Sequence, residues 1–320
     1  MDNEKTKTLK SATIAIVGRP SAGKSTLLNT LTGQKVSITA RVPQTTRNKI
    51  RGILTEDRGQ LIFIDTPGWH DSQKKFNLYL KNLVSAALGE TDMVLYVIDL
   101  GREAGAEEEA IAGKLAAFGG PVIVAFNKSD LASAKLTEAA AFIQKHLPRS
   151  VCAAVSALTG DGMDELKSRL FDLAMEGEPL YPPDYYTDQD PEFRTAEIIR
   201  EKAIAECRAE VPHALYVEVA DLETRIAGED EPEAEAETLT GGKKAKKNRD
   251  QLWVRAFIVV ESDSQKGILV GAGGSRIKAI RVAAQKELGK IFPYRVQLDL
   301  RVKARPRWRR EDSTLKRLLR

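Results

Sequence analysis

Gly18-Arg19-Pro20-Ser21-Ala22-Gly23-Lys24-Ser25 has the residue types and the spacing to hold a string of phosphates. Glycines let backbone N–H groups converge on phosphate oxygens, and a helix starting here adds a partial positive charge. Lys24 can pair with β- and γ-phosphates, and the Ser25 hydroxyl is a hard donor for magnesium. The flanks fit: the apolar run Ile14–Val17 precedes the glycines, and Leu27, Leu28 and Leu31 follow at helical spacing.

Other polar clusters also follow apolar runs. Leu61–Ile64 ends in Asp65-Thr66-Pro67-Gly68, where Asp65 suits magnesium held through water and Gly68 offers an N–H to the γ-phosphate. Val122–Phe126 leads into Asn127-Lys128-Ser129-Asp130. Guanine presents N1–H and its 2-amino group side by side, so one carboxylate, Asp130, can accept both, while the Lys128 stem lies across the base. Adenine lacks that donor pair and would leave the carboxylate unpaired. Val151–Val155 leads to Ser156-Ala157-Leu158, whose backbone can meet guanine O6. Between the first helix and the next strand, Ser37–Ile50 is a polar loop containing Pro43-Gln44-Thr45-Thr46-Arg47. Switch GTPases keep a threonine for magnesium and the γ-phosphate at this place; Thr46 is preferred, with Thr45 the alternative.

The elements that position these groups alternate. Five apolar runs, Ile14–Val17, Leu61–Ile64, Met93–Ile98, Val122–Phe126 and Val151–Val155, are interleaved with helical patterns around Leu78–Leu88, Ala110–Phe118, Leu136–Leu147 and Met163–Leu173. The expectation is an α/β P-loop GTPase domain over residues 11–176, with a mostly parallel sheet covered by helices on both faces. In such sheets ligands sit at the carboxyl ends of the strands. The expected nucleotide contacts are Gly18, Arg19, Pro20, Ser21, Ala22, Gly23, Lys24, Ser25, Thr26, Asp65, Thr66, Pro67, Gly68, Trp69, Asn127, Lys128, Asp130, Ser156, Ala157 and Leu158. Of these groups, Ser25, Thr46 and Asp65 would hold Mg²⁺, and Lys24, Thr46 and Gly68 would act on the phosphate.

The 320 residues lead us to expect more than one domain. Glu176–Asp190 is rich in proline, acid and tyrosine and reads as a linker, assigned to 177–192. Beyond it, Phe193–Ala205 has helical periodicity, and Ala214–Val219 and Leu252–Val260 read as strands. Residues 221–250 run from an acidic cluster into Lys243, Lys244, Lys246 and Lys247 with no apolar period, and are expected to be a flexible insertion. Within Gly267–Leu288, Gly271-Ala272-Gly273-Gly274 separates two helical patterns; the second puts Ile277, Ile280, Ala284 and Leu288 on one face. A GxxG turn between helices brings backbone close to the phosphates of single-stranded nucleic acid, as in KH domains. With the final strand Arg295–Val302 this gives an α+β domain of KH type II order over 193–306. Its expected RNA contacts are Gly271, Ala272, Gly273, Gly274, Arg276, Lys278 and Arg281.

GRPxxGKSTLLN, QTTR, DTPGWH, NKSD and SAL together resemble the Era family of bacterial ribosome-assembly GTPases, and PxDYxTDQ…FRxAEIIREK resembles that family's interdomain segment. The resemblance covers nearly the whole chain except 221–250 and the last ten or so residues. It implies GTP as substrate, small-subunit ribosomal RNA and its single-stranded 3′ end as partner, and a role in assembling the 30S subunit. Two departures stand out. Ser21 replaces the family's usual asparagine, which in relatives can help hold potassium. Trp69 follows DTPG where Ras-like enzymes carry a water-orienting glutamine; Era-like relatives lack it too, which implies slow intrinsic hydrolysis.

The remaining features bound the function. The opening MDNEKTKTLK has no apolar signal segment, so a cytoplasmic protein is expected. Cys152 and Cys207 stand apart, and His70, His146 and His213 have no ligand-like spacing. Net charge is only +4, but the end of the chain from Arg301 is dense in arginine and lysine. The segment 307–320 therefore reads as a basic tail suited to RNA, and, as a second partner, to the anionic inner face of the cell membrane. A monomer is expected. Two alternatives stay open: an RNA-binding module whose nucleotide is structural, and a sister-family RNA- or tRNA-associated GTPase.

Overall fold

The computed structural model describes residues 8–40, 42, 45–67, 88–207, 211–225, 250–311, 314, 315 and 318. Two compact units emerge, one extending to Gln189 and the other from Asp190 to Trp308; the described residues from Arg309 onward group with the first.

In the first unit the strands are β1 (Lys10–Val17), β2 (Ile50–Glu56), β3 (Gly59–Asp65), β4 (Met93–Asp99), β5 (Val122–Asn127), β6 (Val151–Val155) and the two-residue β7 (Met175–Glu176). The described helices are α1 (Lys24–Thr32), α2 (Ala106–Ala116), α3 (Leu136–His146) and α4 (Met163–Leu173). The main sheet order is β2-β3-β1-β4-β5-β6. It is parallel from β3 to β6, whereas β2 joins β3 and β7 joins β1 antiparallel. Continuous apolar strands are what a sheet buried on both faces requires; β3 and β4 are buried at every position.

Strand β2 departs from the sequence reading, which found no strand between the polar loop and Leu61. Its IRGILTE alternates too weakly to announce itself, and antiparallel ladder pairing to β3 organises it. Expected helical residues 78–87 lie outside the described residues, leaving Leu88 at the edge of the core around Tyr96 and Ile111.

The supposed linker is tied to the first unit along much of its length. Gln60, fully buried, accepts from the Leu180 and Tyr181 N–H groups at 2.9 Å and donates to the Tyr181 carbonyl. Arg51 pairs with Asp188 at 2.8 Å, and Gln189 donates to the Val36 carbonyl. These are mostly side chain-to-backbone bonds, which composition cannot reveal.

The second unit runs α5 (Pro191–Ala205), the short α6 (Val211–Ala214), β8 (Tyr216–Arg225), β9 (Gln251–Val260), α7 (Asp263–Val270), α8 (Ser275–Ile291) and β10 (Arg295–Ala304). Helix α5 starts where its caps dictate: the Asp190 carboxylate accepts from the Phe193 N–H at 2.7 Å, and Pro191 opens the first turn. The sheet order is β10-β9-β8, with β9 parallel to β10 and antiparallel to β8. The αββααβ order, apart from short α6, is that of a KH type II domain. Fully buried Ile280, Ala284 and Leu288 form the seam of α8, while Ile277 is half-buried.

Two expectations at the borders of this unit are corrected. Residues 221–225, expected to be flexible, form the end of β8: Asp221, Leu222, Glu223, Thr224 and Arg225 pair with β9 from Arg255 back to Gln251. Ladder hydrogen bonds define this end, where little is buried, so no apolar alternation marked it. The rest of the insertion, 226–249, lies outside the described residues. Trp308, expected in the basic tail, instead belongs to this unit. Trp308 is buried, meets Tyr216 edge-on at 4.7 Å between ring centroids, and donates its indole N–H to the Ala214 carbonyl at 2.9 Å.

Candidate functional site

The five parallel-sheet strands β1, β3, β4, β5 and β6 all end at one edge, and the glycine-rich turn and the clusters that begin at Asp65, Asn127 and Ser156 leave from there. Neighbouring partners Ile16 and Asp65, Asp99 and Asn127, and Asn127 and Val155 show how register brings the clusters level.

The glycine-rich turn feeds α1 through Gly23, whose φ of 96° suits glycine. Lys24 is buried and donates its Nζ to the Gly18 and Arg19 carbonyls at 2.9 and 3.0 Å. Burial lowers its pKa to about 8, against the opposing pull of Asp65 and then Glu107. The turn, the start of α1, Ile38–Ala40, Thr45, Thr46 and Lys128 line a cleft of about 340 Å³.

Ser25 and Thr46, which line the cleft, converge on Asp65. The Ser25 hydroxyl donates to Asp65 Oδ2 at 2.7 Å and lies 2.9 Å from Thr46 Oγ1, itself 3.3 Å from the same oxygen. Ser37, absent from the sequence-derived set, also donates to Asp65 Oδ2, at 2.9 Å. Asp65 is fully buried and its Oδ1 has no protein partner among the described residues. Burial raises its pKa, with Lys24 and then the hydroxyl bonds working the other way. Thr45 instead donates to the Val42 carbonyl at 2.9 Å.

At the other end of the edge, Asn127 is a crosspiece. Its Nδ2 donates to the Ala22 carbonyl at 2.8 Å, and its Oδ1 accepts from the Ala157 N–H at 2.9 Å. Ser156 donates to Asp130 Oδ1 at 2.6 Å, orienting an exposed carboxylate, and Leu158 is 81% exposed. Lys128 reaches back to the Ser21 carbonyl at 2.9 Å.

Some expected contacts are placed differently. The Arg19 side chain turns into the protein, pairing with Glu108 at 3.0 Å and donating to the Glu103 carbonyl, so its guanidinium does not line the cleft. Thr66 is buried, its hydroxyl satisfied by the Ile16 carbonyl at 2.8 Å. Ala22 is likewise buried; Pro20 and Thr26 line the cleft, and Pro67 sits at the end of β3. Gly68 and Trp69 lie outside the described residues.

In the second unit Gly271, Gly273 and Gly274 all have positive φ, at 72°, 57° and 77°. A side chain at Gly273 or Gly274 would meet nothing within 4 Å, and Ala272 is exposed, so the turn presents bare backbone at the start of α8. Lys278 and Arg281 are exposed on that helix. Arg276, half-buried, donates to the Ile268 carbonyl near the end of α7.

A family model described as 50S ribosome-binding GTPase matches residues 13–128, and a KH domain model matches 232–309. The GTPase Era of Treponema denticola is 46% identical over 317 residues, spanning 97% of this chain and 99% of its own. The chain belongs to the Era family of GTPases. A crystal structure of an Aquifex aeolicus Era variant bound to GDP and aluminium fluoride is 33% identical. It superposes with a TM-score of 0.85, covering 97% of this chain and 99% of that one. A second Era structure, in complex with MgGDPNP and nucleotides 1506–1542 of 16S ribosomal RNA, gives a TM-score of 0.85 at 32% identity, over 97% and 98% of the two chains. As an Era GTPase, the protein hydrolyses GTP, and the cleft at the strand ends is where the Era motifs lie.

Proposed function

We propose that this Era GTPase is a switch that binds the 3′ end of small-subunit ribosomal RNA through its KH domain and acts, as a cytoplasmic monomer, in assembly of the 30S subunit. The observation that carries the reading is the bare-backbone turn Gly271–Gly274 in a chain of the same fold as an Era bound to 16S ribosomal RNA.

Within the GTPase domain, Lys24 would place its charge on the β- and γ-phosphates, and the turn's N–H groups would line them. Buried Asp65 Oδ1 lacks a protein partner among the described residues, and hydroxyls of Ser25 and Thr46 stand beside that carboxylate; hard oxygen donors of this kind fit Mg²⁺. When bound, the ion would supply charge neutralisation on the phosphate oxygens. Thr46, at the end of its loop, would couple that loop to the γ-phosphate, so hydrolysis would release it. At the base, Asp130 held by Ser156 would accept both guanine donors, and the Ala157 N–H region held by Asn127 would face O6.

Multiple-turnover GTP hydrolysis with and without small ribosomal subunits, together with binding of a 16S 3′-end oligonucleotide, tests the reading. Turnover stimulated by subunits and saturable RNA binding are expected; nucleotide held without turnover would favour an RNA-binding module instead.

A further inference from the structure

Asp99 closes β4 at the nucleotide edge, yet none of the roles above uses it. It is 3% exposed. Its Oδ2 meets Lys128 Nζ at 2.7 Å, and its Oδ1 accepts from the Gly101 N–H at 2.9 Å. The two strand ends are cross-partners, Asp99 beside Asn127, and the Leu100 N–H donates to the Asn127 carbonyl at 3.0 Å. The carboxylate is therefore fixed on backbone before it meets the lysine.

Lys128 is held at two points. Besides Asp99, its ammonium bonds the Ser21 carbonyl of the glycine-rich turn at 2.9 Å. Both Lys128 and Ser21 have left-handed backbone, with φ of 67° and 63°, and neither is glycine. Such backbone persists where surrounding contacts over-determine it, and such residues cluster at ligand sites. A lysine is a flexible stem with a strongly hydrated head, and ordering it on binding costs affinity. A buried carboxylate as its anchor is itself expensive to desolvate and no better than an apolar pair for stability alone. Placed under this lysine, it orders the stem before the base arrives.

We infer that Asp99 is a positioning residue for guanine-nucleotide binding, acting through Lys128. This rests on the reading of Lys128 as the side chain that lies across the base. The anchor is shared by GDP and GTP, since it lies away from the γ-phosphate groups Ser25, Thr46 and Asp65.

The test is a double-mutant cycle in the full-length protein, with Asp99→Asn, Lys128→Met and their combination, read by GDP Kd and off-rate, by the kcat and KM of hydrolysis, and by melting temperature. Asp99→Asn keeps the side-chain shape and an acceptor for Gly101 while removing the charge. The expected result is GDP affinity lower by about tenfold, chiefly through faster release, and KM raised with kcat retained. In the Lys128→Met background the same change should add less than about twofold, and Asp99→Glu, which restores the charge, should recover most of the affinity. Lys128→Met with unchanged GDP affinity would overturn the base-site reading and this inference with it. Lys128→Met weakened beside wild-type affinity in Asp99→Asn would overturn this inference alone. So would equal losses from Asp99→Asn in both backgrounds, which mark an effect through the fold. If Asp99→Asn does not fold, Asp99→Ser carries the same cycle with the same outcomes.

Discussion

Gly23 and Asn127 are fitted to one another so closely that a side chain on the first would occupy the space of the second. A Cβ built on Gly23 would lie 2.3 Å from Asn127 Nδ2, the atom that donates to the Ala22 carbonyl. The phosphate turn and the base loop are thus joined through a glycine that leaves room for an amide, and through an amide that also holds the Ala157 N–H.

Gly23→Ala should therefore disable both ends of the cleft. The left-handed backbone adds a strain of about 1–2 kcal/mol to the collision. We expect nucleotide affinity to fall by about a hundredfold or more, as the turn and Asn127 cannot both keep their places. Titration with a fluorescent GDP analogue measures it; affinity within threefold of wild type would mean that the turn relaxes freely.

Thr46→Ala and Thr45→Ala separate the two threonines. The Thr46 hydroxyl lies among Ser25 and Asp65, whereas that of Thr45 is spent on the Val42 carbonyl. Magnesium-dependent hydrolysis should drop by about tenfold or more in Thr46→Ala and by less than about threefold in Thr45→Ala. Single-turnover rates across a magnesium titration decide between them, and the reverse order would move the switch role to Thr45.

Asp130→Asn should shift preference from guanine to xanthine nucleotides. Xanthine carries a carbonyl where guanine has its 2-amino group, and an amide N–H₂ can satisfy it. Competition between GDP and XDP reports the change. Because Ser156 donates to Asp130, the amide oxygen can keep that bond and the new N–H₂ can face the base. Equal GDP affinity in wild type and variant would place the base elsewhere.

In the KH domain, Gly274→Asp puts a carboxylate beside the path of the RNA phosphates and at the positive end of α8. A Cβ there clashes with nothing, so only the strain of φ 77°, about 1–2 kcal/mol, falls on the fold. Affinity for a single-stranded 16S oligonucleotide should fall by about tenfold or more at physiological salt, with residual binding steeply salt-dependent. Binding as tight as wild type would remove the turn from the RNA interface.

The two thiols should react very differently. Cys207 is buried, and burial, against the weaker pull of Arg276, raises its pKa to about 11; Cys152 is partly exposed. The thiolate is the nucleophile, so Cys207 should stay protonated and protected at neutral pH and gain reactivity only as pH rises toward 11. Mass spectrometry after native alkylation should find Cys152 modified first; rapid labelling of Cys207 at pH 7 would show that its surroundings open readily.

Much of this protein is set by its sequence alone. The glycine-rich turn, DTPG, NKSD, SAL and GAGG declare themselves because each must leave a strand or helix end, and the apolar runs beside them are local and periodic. What the tertiary structure decided are the partnerships between segments distant in sequence. Asp99 ends an apolar strand as Asn127 does, but only the register of β4 with β5 places it under Lys128. Arg19 reads as a phosphate ligand by position, and only the packing of α2 turns it onto Glu108. Gln60 is one polar residue in a strand until Leu180 and Tyr181 come to it across the fold. Strand β2 and the end of β8 exist through ladder bonds to a neighbour, which leave little hydrophobic period in their own residues. Local pattern records what a segment buries, whereas a hydrogen bond or ion pair between distant segments leaves no mark on either one alone.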